Sequence, residues 1–144
     1  MIHLLNAILC SKVIRDAEKN TISIIEIVEN ITFDSGITDK QFITPIDLDL
    51  FTQWARENPE IPVESTFRIN YLLPDGEISE LKQIPINLSK YFFYRATLHL
   101  KNLKINGPGL YHFLIEIKTT NSEWQELQRI PFRVQLKENK EKSD

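Results

Sequence analysis

The stretch Gly107-Pro108-Gly109-Leu110-Tyr111-His112-Phe113-Leu114-Ile115-Glu116-Ile117 is a tight turn followed by strict alternation. Tyr111, Phe113, Ile115 and Ile117 fall on one side of an extended strand, and His112, Leu114, Glu116 and Lys118 on the other. A period of two with one apolar side is what a half-buried antiparallel strand requires. Reading outward from this strand finds the same pattern in both directions. Residues 91–103 set Phe92, Tyr94, Ala96, Leu98 and Leu100 against Tyr91, Phe93, Arg95, Thr97 and His99. Residues 125–137 carry Ile130, Phe132, Val134 and Leu136 inward. Residues 63–73 do the same with Val63, Phe67, Ile69, Tyr71 and Leu73, and 45–55 with Ile46, Leu48, Leu50, Thr52 and Trp54.

Further strands are expected over 3–14, 21–31 and 78–88. The phase changes at Ile24-Ile25, which predicts a bulge or burial on both faces. The stretch Phe51 to Glu57 alone admits a short helix as an alternative. Turns fall at Asp16-Ala17-Glu18-Lys19-Asn20 and at Pro74-Asp75-Gly76, where proline presets the backbone and glycine accepts a positive φ. Pro85 and Pro131 donate nothing to a ladder, so their strands are expected at an edge or a bulge. The segment 33–44, with Asp34, Gly36 and Asp39, reads as a longer loop. The fold expected is all-β: an antiparallel two-sheet sandwich of about eight strands, immunoglobulin-like or C2-like in outline. Residues 1–137 form a single domain in this reading, and 138–144 a disordered polar tail.

The chain resembles a group of uncharacterised small bacterial β-sandwich proteins in the order of its features. These are Ile27-Val28-Glu29-Asn30-Ile31, the turn Pro74-Asp75-Gly76-Glu77, and Pro108-Gly109-Leu110-Tyr111-His112-Phe113 before a last strand with Ile130-Pro131-Phe132-Arg133-Val134. The resemblance implies the sandwich and supplies no active site. Glycine-x-tyrosine at the strand entry also looks like a turn of immunoglobulin-type domains, although no cysteine pair accompanies it.

Composition narrows the function. Hydrophobic residues make up 42% and charged residues 26% of 144, ordinary globular usage. A net charge of −3 gives no footprint for nucleic acid, and Arg95, Lys101, Lys104 and Lys118 read as cations on a solvated face. The single Cys10 excludes an intrachain disulfide and reads as a small core hydrophobe. No secretory signal or membrane-spanning run is expected, which points to a cytoplasmic protein with no membrane partner.

Chemistry-bearing residues are sparse. His99 and His112 fall on outer strand faces, and a hairpin closed around Asn106-Gly107-Pro108-Gly109 would bring His99 near Glu116, a pair that zinc could use. The plainer reading is a cross-strand polar pair. Asp16, Asp34, Asp39 and Asp75 sit singly in turns rather than in a calcium-binding cluster, and Asp47 and Asp49 keep a strand face wet. Trp124 and Tyr91 could stack on a sugar. No catalytic residue, metal site or cofactor is expected. Apolar residues on the outer phase are more informative: Phe51, Tyr91, Phe93 and Leu114, with His112 alongside, are expected to form a partner-binding patch unless the loop 33–44 covers them. The sequence thus points to a non-enzymatic protein-interaction or assembly module, with a protein partner or a second copy. The alternative is a ligand-binding module for calcium or carbohydrate, using turns at one end of the sandwich.

Overall fold

The computed structural model describes residues 2–34 and 42–137. Of the loop expected over 33–44, residues 33–34 and 42–44 are strand instead, residues 35–41 with Asp39 lie outside that range, and so does the tail 138–144. The described residues form β1 (Ile2–Asp16), β2 (Thr21–Ile27), β3 (Asn30–Asp34), β4 (Phe42–Arg56), β5 (Val63–Leu72), β6 (Ile78–Leu88), β7 (Phe93–Ile105), β8 (Gly109–Lys118) and β9 (Trp124–Lys137). A four-stranded sheet in the order β2-β1-β4-β7 faces a five-stranded sheet in the order β3-β9-β8-β5-β6. The architecture is the expected two-sheet sandwich. The possible helix at Phe51 is instead the continuation of β4 through Arg56.

One expected strand is two. Glu26 takes a φ of 52°, a left-handed conformation inside β2, and the next residue, Ile27 opposite Cys10, is the last to pair with β1. Val28 N–H donates to Leu9 O (2.9 Å), and β3 continues on the other sheet, where it runs parallel to β9. All other pairings are antiparallel. Both prolines lie where a missing N–H is harmless. β6, with Pro85, is an edge strand. Pro131 precedes Arg133, where the β3 pairing begins, so one side of β9 is still open there.

The inward residues of the alternating strands fill the core. Trp54, Phe67, Ile69, Tyr111, Phe113 and Phe132 are fully enclosed, and Tyr71, Tyr111, Phe113 and Phe132 stack with ring centroids 5.3–6.3 Å apart. Polar atoms in this core have partners. The Trp54 indole N–H donates to Thr52 Oγ1 (3.0 Å), whose hydroxyl donates to Ala96 O (2.9 Å). The Tyr71 hydroxyl crosses the sandwich to donate to Lys104 O (2.8 Å).

β7 and β8 are consecutive in sequence but belong to opposite sheets, so no hairpin joins them. Asn106, Gly107 and Pro108 form the crossing. Tyr111 pins it: its hydroxyl donates to Gly107 O and accepts from Asn106 N–H, each at 2.7 Å, the arrangement of a tyrosine corner. Gly109 is required at this corner, because at φ +148° a Cβ would stand 2.9 Å from the Pro74 ring.

β1 shapes the four-stranded sheet. It pairs with β4 from Ile2 to Cys10, then leaves it and pairs only with β2. Asp49 marks the departure, its Oδ2 accepting Val13 N–H at 2.9 Å. The β1–β2 hairpin then lies back across the outer face of β4 and β7. At its tip Asn20, with φ 52°, meets β7, where Arg95 donates to Asn20 O (3.1 Å) and Oδ1 (3.4 Å).

Candidate functional site

The five outward residues expected to share one patch are divided between the two sheets. Phe51 (β4), Tyr91 and Phe93 (β7 and its approach) belong to the four-stranded sheet, whereas His112 and Leu114 are on β8 of the other. Phe51 is only 5% exposed, because the β1–β2 hairpin folds over it. Leu114 is 4% exposed although its face is open. It lies between Asn70 and Arg129 in the ladder, with Arg68 and Glu116 one pair along on the same face, and we attribute its burial to the stems of these long neighbours. His112 is half-buried between Leu72 and Pro131. Phe51 and Leu114 are therefore not surface residues, and the expected single patch does not exist.

Tyr91 and Phe93 are exposed as expected, at 71% and 54%, with Phe92 between them at 39%. The Phe92 and Phe93 rings meet edge-to-face, centroids 4.7 Å apart. This aromatic corner opens onto a cavity of about 640 Å³ between the hairpin and the sheet. Phe51 lies in its floor. Val13, Arg15, Asn20 and Ile22 line it from the hairpin, and Tyr91, Phe93, Tyr94, Arg95, Thr97 and His99 from β7 and its approach. Alternation on β7 puts Phe93, Arg95, Thr97 and His99 on this one face, opposite Ala55, Gln53, Phe51 and Asp49 of β4.

His99 does not approach Glu116. Its Nδ1 lies 2.5 Å from Asp49 Oδ1, and Asp49 is buried rather than wetting the surface. The two carboxylate oxygens serve His99 and Val13 N–H, so Asp49 braces the bend in β1 against β7. Glu116 instead accepts from Arg68 Nε (2.6 Å) and Asn70 Nδ2 (2.8 Å) on the far sheet. The Cys10 thiol is buried and contacts Asp49 O (3.5 Å); burial first, and then the Asp49 charge, push it up from its ordinary value, the opposite of what a nucleophile needs.

The other candidates have local roles. Asp16 Oδ1 accepts the backbone N–H groups of Glu18 and Lys19. Asp75 accepts Glu77 N–H and the Asn106 amide. Trp124 is covered by Arg68, 4.4 Å above its ring, so that face is not open to a sugar.

The sequence reading passed over a signal for this site. Lys90-Tyr91-Phe92-Phe93-Tyr94-Arg95 is an aromatic run between two cations, and no aspartate or glutamate occurs between Glu80 and Glu116. The role of Asp49 had no such signal, since it depends on where β1 departs from β4.

No protein-family model matches the chain, and no curated protein is similar to it. Among solved structures it is similar to a β-glucosidase from Listeria innocua in complex with glucose, with a TM-score of 0.55 at 8% identity. The match covers 94% of this chain and 16% of the enzyme. A second structure of that β-glucosidase gives a TM-score of 0.54 at the same identity and coverage. At this identity the likeness is one of fold.

Proposed function

We propose that this chain is a non-enzymatic interaction or assembly module whose partner-binding face is the Tyr91–Phe93 corner with the adjoining groove. The observation that carries this reading is the run of three consecutive aromatic side chains left in solvent at 71%, 39% and 54% exposure. Aromatic residues of this kind are the usual anchors of protein interfaces, and here they adjoin a concave surface that seats a projecting side chain. The Asp49–His99 pair fits a structural role better than a catalytic one, because Asp49 is committed to the bend of β1. The tyrosine corner at Tyr111 further supports reading the sandwich as immunoglobulin-like.

The test starts with mass in solution, by light scattering after size exclusion, for wild type and for Tyr91→Arg/Phe93→Arg. A wild-type dimer that becomes a folded monomer in the variant supports self-association through this corner. For a monomeric wild type, benzoylphenylalanine at position 93 is compared with the same cross-linker at exposed Ile61. Protein adducts at 93 and none at 61 support a partner; equal yields at both sites, or none, count against the reading.

A further inference from the structure

We propose that the groove between the β1–β2 hairpin and the outer face of β4 and β7 binds an acidic peptide segment carrying an aromatic side chain. This inference rests on the interaction-module reading and names the chemistry of the partner.

The charge of the groove is one-sided. Arg15 and Arg95 line it, His99 stands at its wall, and no carboxylate among the described residues does, although the chain holds 20 acidic residues against 17 Lys and Arg. Arg95 is half-buried and donates to the neutral amide and carbonyl oxygens of Asn20. Arg15 meets no carboxylate among the described residues. On the opposite face of the molecule Arg68 pairs with Glu116 and Arg129 with Glu126, while Arg133 is exposed and lines no such groove with a second arginine. Asp49, beside groove-lining His99, spends both oxygens on Val13 and His99. On the β7 side the chain has Lys90 and Lys101 and no acid between Glu80 and Glu116. At the hairpin tip Asp16 is held to its own turn by Glu18 and Lys19 N–H, and neither it nor Glu18 lines the groove. Asn20 takes two of the five N–H donors of Arg95, and those left face a cavity without an anion, where a guanidinium pairs most strongly with a carboxylate.

Shape selects the rest. A volume of about 640 Å³ accepts a large side chain and its neighbours. Recognition surface continues outside the cavity along Tyr91, Phe92 and Phe93, as suits an extended chain more than an enclosed small molecule. An aromatic side chain of the ligand would settle on Phe51 beside Phe93, placing flanking carboxylates at Arg15 and Arg95. Nucleic acid fits less well, since a net charge of −3 and so few cations cannot neutralise a run of phosphates.

Fluorescence anisotropy tests this with a labelled nine-residue peptide of aspartates and glutamates around a central phenylalanine. Controls replace its acids by lysine, or its phenylalanine by alanine, and a labelled single-stranded oligonucleotide serves as the polyanion. The acidic aromatic peptide is expected to bind, and to lose about tenfold in affinity or more with Arg15→Glu or Arg95→Gln. Both variants are checked for an unchanged melting temperature, and exposed Arg15 keeps the test valid if the Arg95 variant is unstable. No binding, equal binding of the lysine peptide, stronger binding of the oligonucleotide, or indifference to both arginine variants overturns the inference. Dimerisation through Phe93, or adducts at position 93, without peptide binding overturns it while leaving the interaction reading intact; absence of all three removes both.

Discussion

The two sheets bury apolar residues on their outward faces by different means. On the four-stranded sheet Phe51 is covered by chain: β1 turns at Cys10 and the hairpin folds back over it, leaving a groove beside the cover. On the five-stranded sheet Leu114 is covered by side chains, with Arg68, Asn70, Glu116 and Arg129 forming the roof. A roof of chain leaves a cavity with walls, and a roof of long polar side chains leaves a sealed, charge-balanced surface. Only the first is suited to seating a partner.

The comparison breaks most visibly at Phe51. Phe51→Ala should cost about 3 kcal/mol, as for a core aromatic, because the hairpin cannot collapse fully into the space left. Chemical denaturation measures it; a cost near zero would mean that the hairpin does not cover this residue in solution. Leu114→Ala should cost about 2 kcal/mol, at the lower end for a buried leucine, because mobile arginine and glutamate stems can settle into the gap. A loss larger than that of Phe51→Ala would reverse the assignment of the rigid cover to the hairpin.

These two residues also mark how far the sequence could be read. Alternation identified most of the inward rows of β4, β5, β7, β8 and β9, which the core contains, but Phe92, read as inward, lies before β7 begins and is 39% exposed. Alternation reports only which side of its own strand a residue takes. Whether that side meets water depends on what lies above it, and for Phe51 that is a hairpin whose path is set by one carboxylate, Asp49. Sheet membership was hidden for a similar reason. Asn106 to Gly109 has hairpin composition, yet Tyr111 and the close approach of Pro74 to Gly109 turn it into a crossing between sheets. That crossing separates His99 from Glu116 and Phe93 from Leu114. The aromatic corner itself was readable, because Tyr91 and Phe93 fall on the outward phase and no described segment buries them.

The inner face of the five-stranded sheet gives a pH-dependent contrast. Burial first, then the neighbouring Tyr111, raise the Tyr71 hydroxyl above its ordinary value; Tyr111 is raised chiefly by burial. The unfolded chain therefore releases these protons at lower pH than the folded one. Their share of stability is complete below about pH 10, the unperturbed tyrosine value, and is lost as pH rises beyond it. Tyr71→Phe should cost about 1 kcal/mol at neutral pH by removing the bond to Lys104 O, and should flatten the alkaline fall in melting temperature. An alkaline limb as steep as that of wild type would place the titrating group elsewhere.

The smallest effect on stability is expected where the effect on binding should be largest. Phe93 begins β7 with its ring against Phe92 and more than half exposed, so Phe93→Ala removes much less buried area than Phe51→Ala and should change stability by less than about 1 kcal/mol. A core residue cannot behave this way, since its packing and its function are lost together. A Phe93→Ala protein that melts with the wild type but no longer forms the contact of the aromatic corner would show that the groove side of the molecule carries an aromatic which the fold does not need. A stability loss approaching that of Phe51→Ala would instead join Phe93 to the hairpin-covered cluster, and the corner would be part of the roof rather than a surface left open for a partner.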